Sequence, residues 1–164
     1  MKMLKKYTLF LFSLFFMTGG FAESQLVQTV EIDCRANCAN YGSKKWKEKA
    51  KEINLSPGKY KIIPLSGACS VWAKDQIAYD TGSQPWMWYA IISANGNQYE
   101  LGSLSKYETP KKALQEQKDE EVIIVLENET SIQIGIEDVW KEKDTCSDNR
   151  GVEKIEIYKI SSAN

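Results

Sequence analysis

Residues 86–102 read WMWYAIISANGNQYELG. The run WMWYAIIS is nearly all aromatic and aliphatic, the pattern of a strand covered on both faces, so Trp86 and Trp88 are expected in the core or at its margin. It ends at Ala94-Asn95-Gly96-Asn97, where Asn-Gly supplies the positive φ that a tight hairpin turn requires, and NQYELG resumes as the returning strand.

Outward from this hairpin the chain keeps the same alternation of strand and turn. LVQTVEI (26–32) alternates, and KEINL (51–55) leads through Ser56-Pro57-Gly58 into KYKIIPLSG (59–67), its expected hairpin partner. EVIIVLE (121–127) and SIQIGIE (131–137) flank an expected hairpin turn at Asn128-Glu129-Thr130. VEKIEIYKI (152–160) follows, with Val152, Ile155, Ile157 and Ile160 as its apolar residues. About eight short strands at such spacing predict an all-β protein, a sandwich or jelly roll.

Two stretches depart from the strand pattern. In YETPKKALQEQ (107–117), Thr109 can cap a first turn and Pro110 stands where a missing amide costs nothing, which predicts one short helix over 110–117. SKKWKEKAKE (43–52) has helix-forming residues but a single large apolar group, Trp46. It reads as an exposed loop or frayed helix whose lysines form a solvated face.

The first 22 residues place the protein. Lys2, Lys5 and Lys6 precede the apolar run LFLFSLFFM, and Gly20-Phe21-Ala22 offers small residues before a cut, the layout of a secretory signal peptide over 1–22. The apolar run is too short to span a bilayer. The expectation is an exported chain, periplasmic or secreted, with a single β-sandwich domain over 23–164 and no membrane span. Loss of the signal removes three of the 21 basic residues and none of the 22 acidic ones, leaving a net charge of about −4, which argues against a nucleic-acid partner.

All four cysteines, Cys34, Cys38, Cys69 and Cys146, lie beyond the signal, and an oxidising compartment predicts two disulfides drawn from three pairings. The chain has no histidine, which removes the imidazole that Ser-His-Asp and Cys-His mechanisms need and disfavours zinc. No catalytic residue is expected and the protein is read as a binder rather than an enzyme.

A binding site can be argued for DTCSDNRG (144–151). A hard cation such as calcium takes six to eight oxygens at about 2.3–2.6 Å, and Asp138, Asp144, Thr145, Asp148 and Asn149 offer carboxylate, hydroxyl and amide oxygens close together. The competing reading makes Asp148-Asn149-Arg150-Gly151 a plain turn, with Asn or Gly left-handed. For sugar, whose rings bury an apolar face on aromatic side chains, Trp72 and Trp140 stand nearest these loops.

LSPGKYKIIPLSG (55–67), the strand WMWYAII, IGIED ending at Asp138, and DTCSDNRGVEKIEI with Asp148-Asn149 and Gly151 together resemble, in layout over 27–160, the calcium-dependent galactophilic lectins of the PA-IL type. The resemblance implies a galactose-binding-domain-like jelly roll with calcium and sugar at one end. It assigns metal binding to Asp138, Thr145, Asp148 and Asn149, with a main-chain carbonyl from Ser70 to Trp72; joined to the aromatic reading, the expected ligand-binding residues are Trp72, Trp140, Asp138 and Asn149. Asp148 stands where the family has an amide, and the histidine that touches sugar is absent. If the loop after Pro64 meets the loop after Asp138, as in that layout, Cys69 pairs with Cys146 and Cys34 with Cys38. The expected function is that of an exported, calcium-dependent carbohydrate-binding protein. The alternative is a metal-free β-sandwich adaptor contacting another protein or a second copy of itself.

Overall fold

A computed structural model describes residues 23–70, 86–140, 143–144 and 146–161. The expected signal peptide, together with Trp72 and Thr145, lies outside the described residues, as do the side chains of Val139, Trp140, Lys143 and Asp144. The elements are β1 (Ser24–Asp33), α1 (Lys44–Lys49), β2 (Lys51–Leu55), β3 (Gly58–Ser70), β4 (Trp86–Ala94) and β5 (Asn97–Tyr107). There follow α2 (Pro110–Gln117), β6 (Val122–Leu126), β7 (Thr130–Gly135), β8 (Val139–Trp140), β9 (Lys143–Asp144) and β10 (Arg150–Ile160). The all-β expectation is borne out: eight strands form one antiparallel, nearly closed sheet, and β8 and β9 form a separate two-stranded ribbon.

β10 lies between β1 and β3, pairing Asp33↔Val152 with the first and Ser70↔Arg150 with the second. The first half of β3 carries β6 on its other edge, and its end meets β4 at a single pair, Cys69↔Met87. β4 pairs with β5 along its length, while its opposite edge passes from β3 at Met87 to β7 at Ile91. β2 closes the row on the far edge of β7. One strand thus belongs to both wings of the sheet, which explains why WMWYAIIS is buried on both faces: Met87 to Ile92 are all buried, Trp88 completely.

The tight hairpin turn forms where Asn-Gly predicts it. Asn95 (φ 51°) and Gly96 (φ 75°) form the two-residue hairpin between Ala94 and Asn97. Two other expected hairpins are corrected. Ser56-Pro57-Gly58 does not fold β2 back on β3: β2 pairs with β7, and β3 with β6 and β10. Likewise β6 pairs with β3 and β7 with β2 and β4. Both turns carry the chain from one wing to the other, so the buried faces of β2 (Ile53, Leu55) and β6 (Val122, Ile124, Leu126) contribute to one core from different sides.

α2 forms over 110–117 as expected, with Thr109 Oγ1 accepting the Lys112 amide at 3.1 Å and Pro110 in the first turn. It packs over β3, β4 and β5 through Ala113. The 43–52 stretch differs from expectation. Ser43 caps a short helix, and Trp46 is only 2% exposed, stacked edge-on against Tyr41 at 5.2 Å and lying over Gly135. Lys44, Lys45 and Lys47 are exposed around it and Lys49 is half-buried, its Nζ donating to Cys38 O at 3.0 Å, but the indole is a core residue, because Gly135 has no side chain to keep it away. Among the described residues, no helix is long and apolar enough to cross a membrane.

Candidate functional site

Antiparallel pairing of β1, β10 and β3 brings the end of β1, the start of β10 and the end of β3 to the same end of the sheet. The segment after β1 is folded on itself there. Asp33 Oδ1 accepts the amides of Arg35 (2.9 Å) and Ala36 (2.7 Å), and Asn37 Oδ1 accepts the Asp33 amide at 2.9 Å. The same segment is stitched to its surroundings. Asn37 Nδ2 donates to Lys49 O (2.7 Å), and the amides of Ile136 and Ala39 exchange bonds with Asn37 O and Ile136 O.

This segment is also where both disulfides meet. Cys34 is bonded to Cys69 and Cys38 to Cys146, each with Cα atoms 5.6 Å apart. The expected pairing of Cys69 with Cys146 and of Cys34 with Cys38 is therefore corrected. The 33–40 segment lies between the end of β3 and the 3-10 turn Cys146–Asp148, so each of those elements is tied to it rather than to the other. Two disulfides in place agree with an oxidising compartment.

Of the proposed cation ligands, three are described. Asp138 O faces Cys146 Sγ at 4.0 Å, and Cys146 O accepts the Asn149 amide at 3.3 Å, so Asp138 and the 146–149 turn share the Cys146 neighbourhood. Asn149 is 3% exposed and its Nδ2 donates to Cys34 O (3.0 Å) and to Cys38 Sγ (3.2 Å). It thereby fastens the turn to the disulfide segment, a structural role the sequence did not suggest. Asn149 Oδ1 and Asp148 Oδ1 are buried and make no hydrogen bond among the described residues. The left-handed residue of this turn is Gly151 (φ 103°), whose Cβ would meet Ala68 O at 2.3 Å.

Two recesses flank this region. One of about 590 Å³ is lined by Asp33, Arg35, Ala36, Lys45, Lys49, Cys146 and Ser147. The other, about 320 Å³, is lined by Tyr89, Leu104, Glu137 and Asp138. Glu137 Oε1 accepts the Tyr41 amide at 3.0 Å. Burial pushes the Tyr89 phenol well above its ordinary value, and the negative charges of Glu100 and Glu137 push it further, so it stays a neutral hydrogen-bonding group.

A further buried group escaped the sequence reading. Glu153 is fully buried; its Oε1 accepts the Tyr89 amide at 3.2 Å and the Cys69 amide also acts on the carboxyl. Tyr89 sits where the edge of β4 changes partner, between Met87↔Cys69 and Ile91↔Gly135. Its amide has no strand to bond there, and a carboxyl from β10 fills the gap. Burial raises the Glu153 pKa well above 4.5, against the lowering effect of the two amides. The signal was present in the sequence: stepping back by two from Ile157 and Ile155 places Glu153 on the same inward face.

No protein-family model, curated protein or solved structure matches the chain.

Proposed function

We propose that the protein is an exported binding module that holds a calcium ion at the disulfide-bound end of the sheet and presents it, on a jelly-roll-type scaffold, to a carbohydrate or glycoconjugate. The observation that supports this reading is the pair of buried oxygens, Asp148 Oδ1 and Asn149 Oδ1, without a donor among the described residues and next to the Asp138 segment. A buried acceptor left unsatisfied costs about 1–3 kcal/mol, and a cation that takes oxygen ligands would satisfy both at once. Among the described residues no three acidic or sulfur side chains converge, so amide, hydroxyl and main-chain oxygens would complete the shell. Asp138, Thr145, Asp148 and Asn149 are the residues that would hold the ion.

Isothermal titration with calcium tests the reading. One saturable site is expected in the native chain and none in Asp148→Ala, and a glycan array probed with and without calcium then tests for sugar. Absence of calcium uptake by the native chain overturns the proposal and favours the metal-free adaptor reading. That second reading has its own support in the outward face of β6, where Ile123 and Val125 are 36% and 63% exposed.

A further inference from the structure

Five of the six exposed large hydrophobic side chains among the described residues, Leu26, Val27, Leu65, Ile123 and Val125, stand on β1, β3 and β6; the sixth, Leu104, is on β5. Those three strands and β10 form one wing of the sheet, in the order β1-β10-β3-β6. The register aligns its outward side chains in rows. Leu26 lies opposite Tyr158, Tyr158 opposite Lys61, and Lys61 opposite Ile123, so that one row crosses all four strands. Strand alternation puts this row on the solvent side, because its chain neighbours Ile157, Tyr60, Ile62, Val122 and Ile124 are buried in the core.

The row reads alike from both ends. It begins and ends in an aliphatic group, and its centre pairs a cation with an aromatic ring, Lys61 Nζ standing 5.8 Å from the centre of the Tyr158 ring. A two-fold axis running along the strands between β10 and β3 would therefore set Leu26 over the partner's Ile123 and Tyr158 over the partner's Lys61. Each contact would be made twice, as an isologous interface requires. Charge agrees with this placement: Glu156, which accepts the Tyr158 hydroxyl at 2.7 Å, is the next outward residue on β10 and would come beside the partner's Lys61. Edge-to-edge pairing of two β6 strands about Ile124 is disfavoured instead, since Glu121 would stand across from the partner's Glu127, like charge against like.

We infer that the outward face of this wing is the interface of a homodimer, in which two copies pack face to face with their strands aligned. Aligned packing of two sheets is an ordinary arrangement. Four strands about 4.8 Å apart, over the length of the β10–β3 pairing, give a face on the order of 600 Å², close to the roughly 800 Å² per partner of a standard interface. Because Ser70↔Arg150 and Lys59↔Ile160 mark opposite ends of that pairing, an axis along the strands leaves both disulfide-bound ends facing the same way. The dimer does not rest on the calcium reading. Where that reading holds, the pair presents two sites side by side, which a multivalent glycan would bind with avidity.

Sedimentation equilibrium of the disulfide-bonded protein in chelator tests the inference, over about 1–300 µM, the range in which an interface of this size associates. The molar mass should rise to twice that of the chain. Leu26→Glu and Ile123→Lys, at exposed outward positions, should each weaken association by more than about tenfold, the effect of an unpaired charge at an apolar contact. Leu104→Glu, exposed on β5 and off this face, should change it by less than about twofold. Mixed in equal amounts, Leu26→Glu and Ile123→Lys should dimerise again, because the mixed pair sets the new acid against the new base once and keeps the native contact once. That recovery also shows that both variants fold. A native chain that stays monomeric, an equal loss in Leu104→Glu, or variants with native circular dichroism that fail to recover on mixing would overturn the inference. Because chelator is present throughout, failure here leaves the calcium reading standing, and failure of calcium binding leaves this one.

Discussion

At the scale of single residues, Glu153 connects the sheet's geometry to a measurable pH dependence. Its carboxyl is buried and its pKa raised, so the native state binds more protons than the unfolded chain above the ordinary value of 4.5. Stability from this group is therefore complete below about pH 4.5 and falls as pH rises toward the folded-state value. Glu153→Gln keeps an acceptor for the Tyr89 amide and cannot ionise, so the decline of stability with rising pH should flatten; urea midpoints between pH 4 and 8 would show it. Glu153→Leu removes the acceptor and should destabilise the fold by about 1–3 kcal/mol for each amide left without a partner. A leucine variant as stable as the native chain would mean that the carboxyl does not hold the β3–β4 junction. Strand alternation made the inward position of Glu153 legible in the sequence. Its bond to Tyr89 was not, because it depends on where β4 exchanges one partner for another.

At the scale of elements, turns and caps are legible in the sequence and strand partners are not. Asn95-Gly96 fixes its own hairpin, and Thr109-Pro110 fixes the start of α2, because each acts on its immediate neighbours. Ser56-Pro57-Gly58 also makes a turn, but turn residues do not say which strand lies alongside: β2 finds Thr130–Gly135, far along the chain. Trp46 was similarly misplaced, since its pocket is made by Gly135 and Tyr41 and not by its own helix. The β4–β5 pair offers two tests. Gly102 has φ 88° and its Cβ would lie 2.3 Å from Trp88 O, so Gly102→Ala should destabilise by more than 1 kcal/mol in a denaturant melt. Trp88→Ala, at a completely buried site, should cost about 3–5 kcal/mol. An unchanged midpoint in either variant would contradict the packing of this pair.

At the scale of the whole molecule, the two disulfides gather two distant parts of the chain, the end of β3 and the Cys146–Asp148 turn, around residues 33–40. Cys34–Cys69 and Cys38–Cys146 join cysteines 35 and 108 residues apart, and on the chain-entropy account each contributes about 4–5 kcal/mol. Non-reducing peptide maps should recover these two pairs alone. The cysteine count made two bonds legible, whereas the pairing depended on the segment after β1 lying between two others, which nothing local announces. The same end of the molecule carries the central claim, that Asp138 and the 146–149 turn assemble a calcium site. The most direct measurement is the thermal midpoint of the disulfide-bonded protein in excess calcium and in excess chelator. At a hundred times its dissociation constant, calcium should add about 2.7 kcal/mol to stability and raise the midpoint by several degrees. Asp148→Ala should fold normally and lose the difference. Identical melting curves of the native chain in calcium and in chelator would contradict the account.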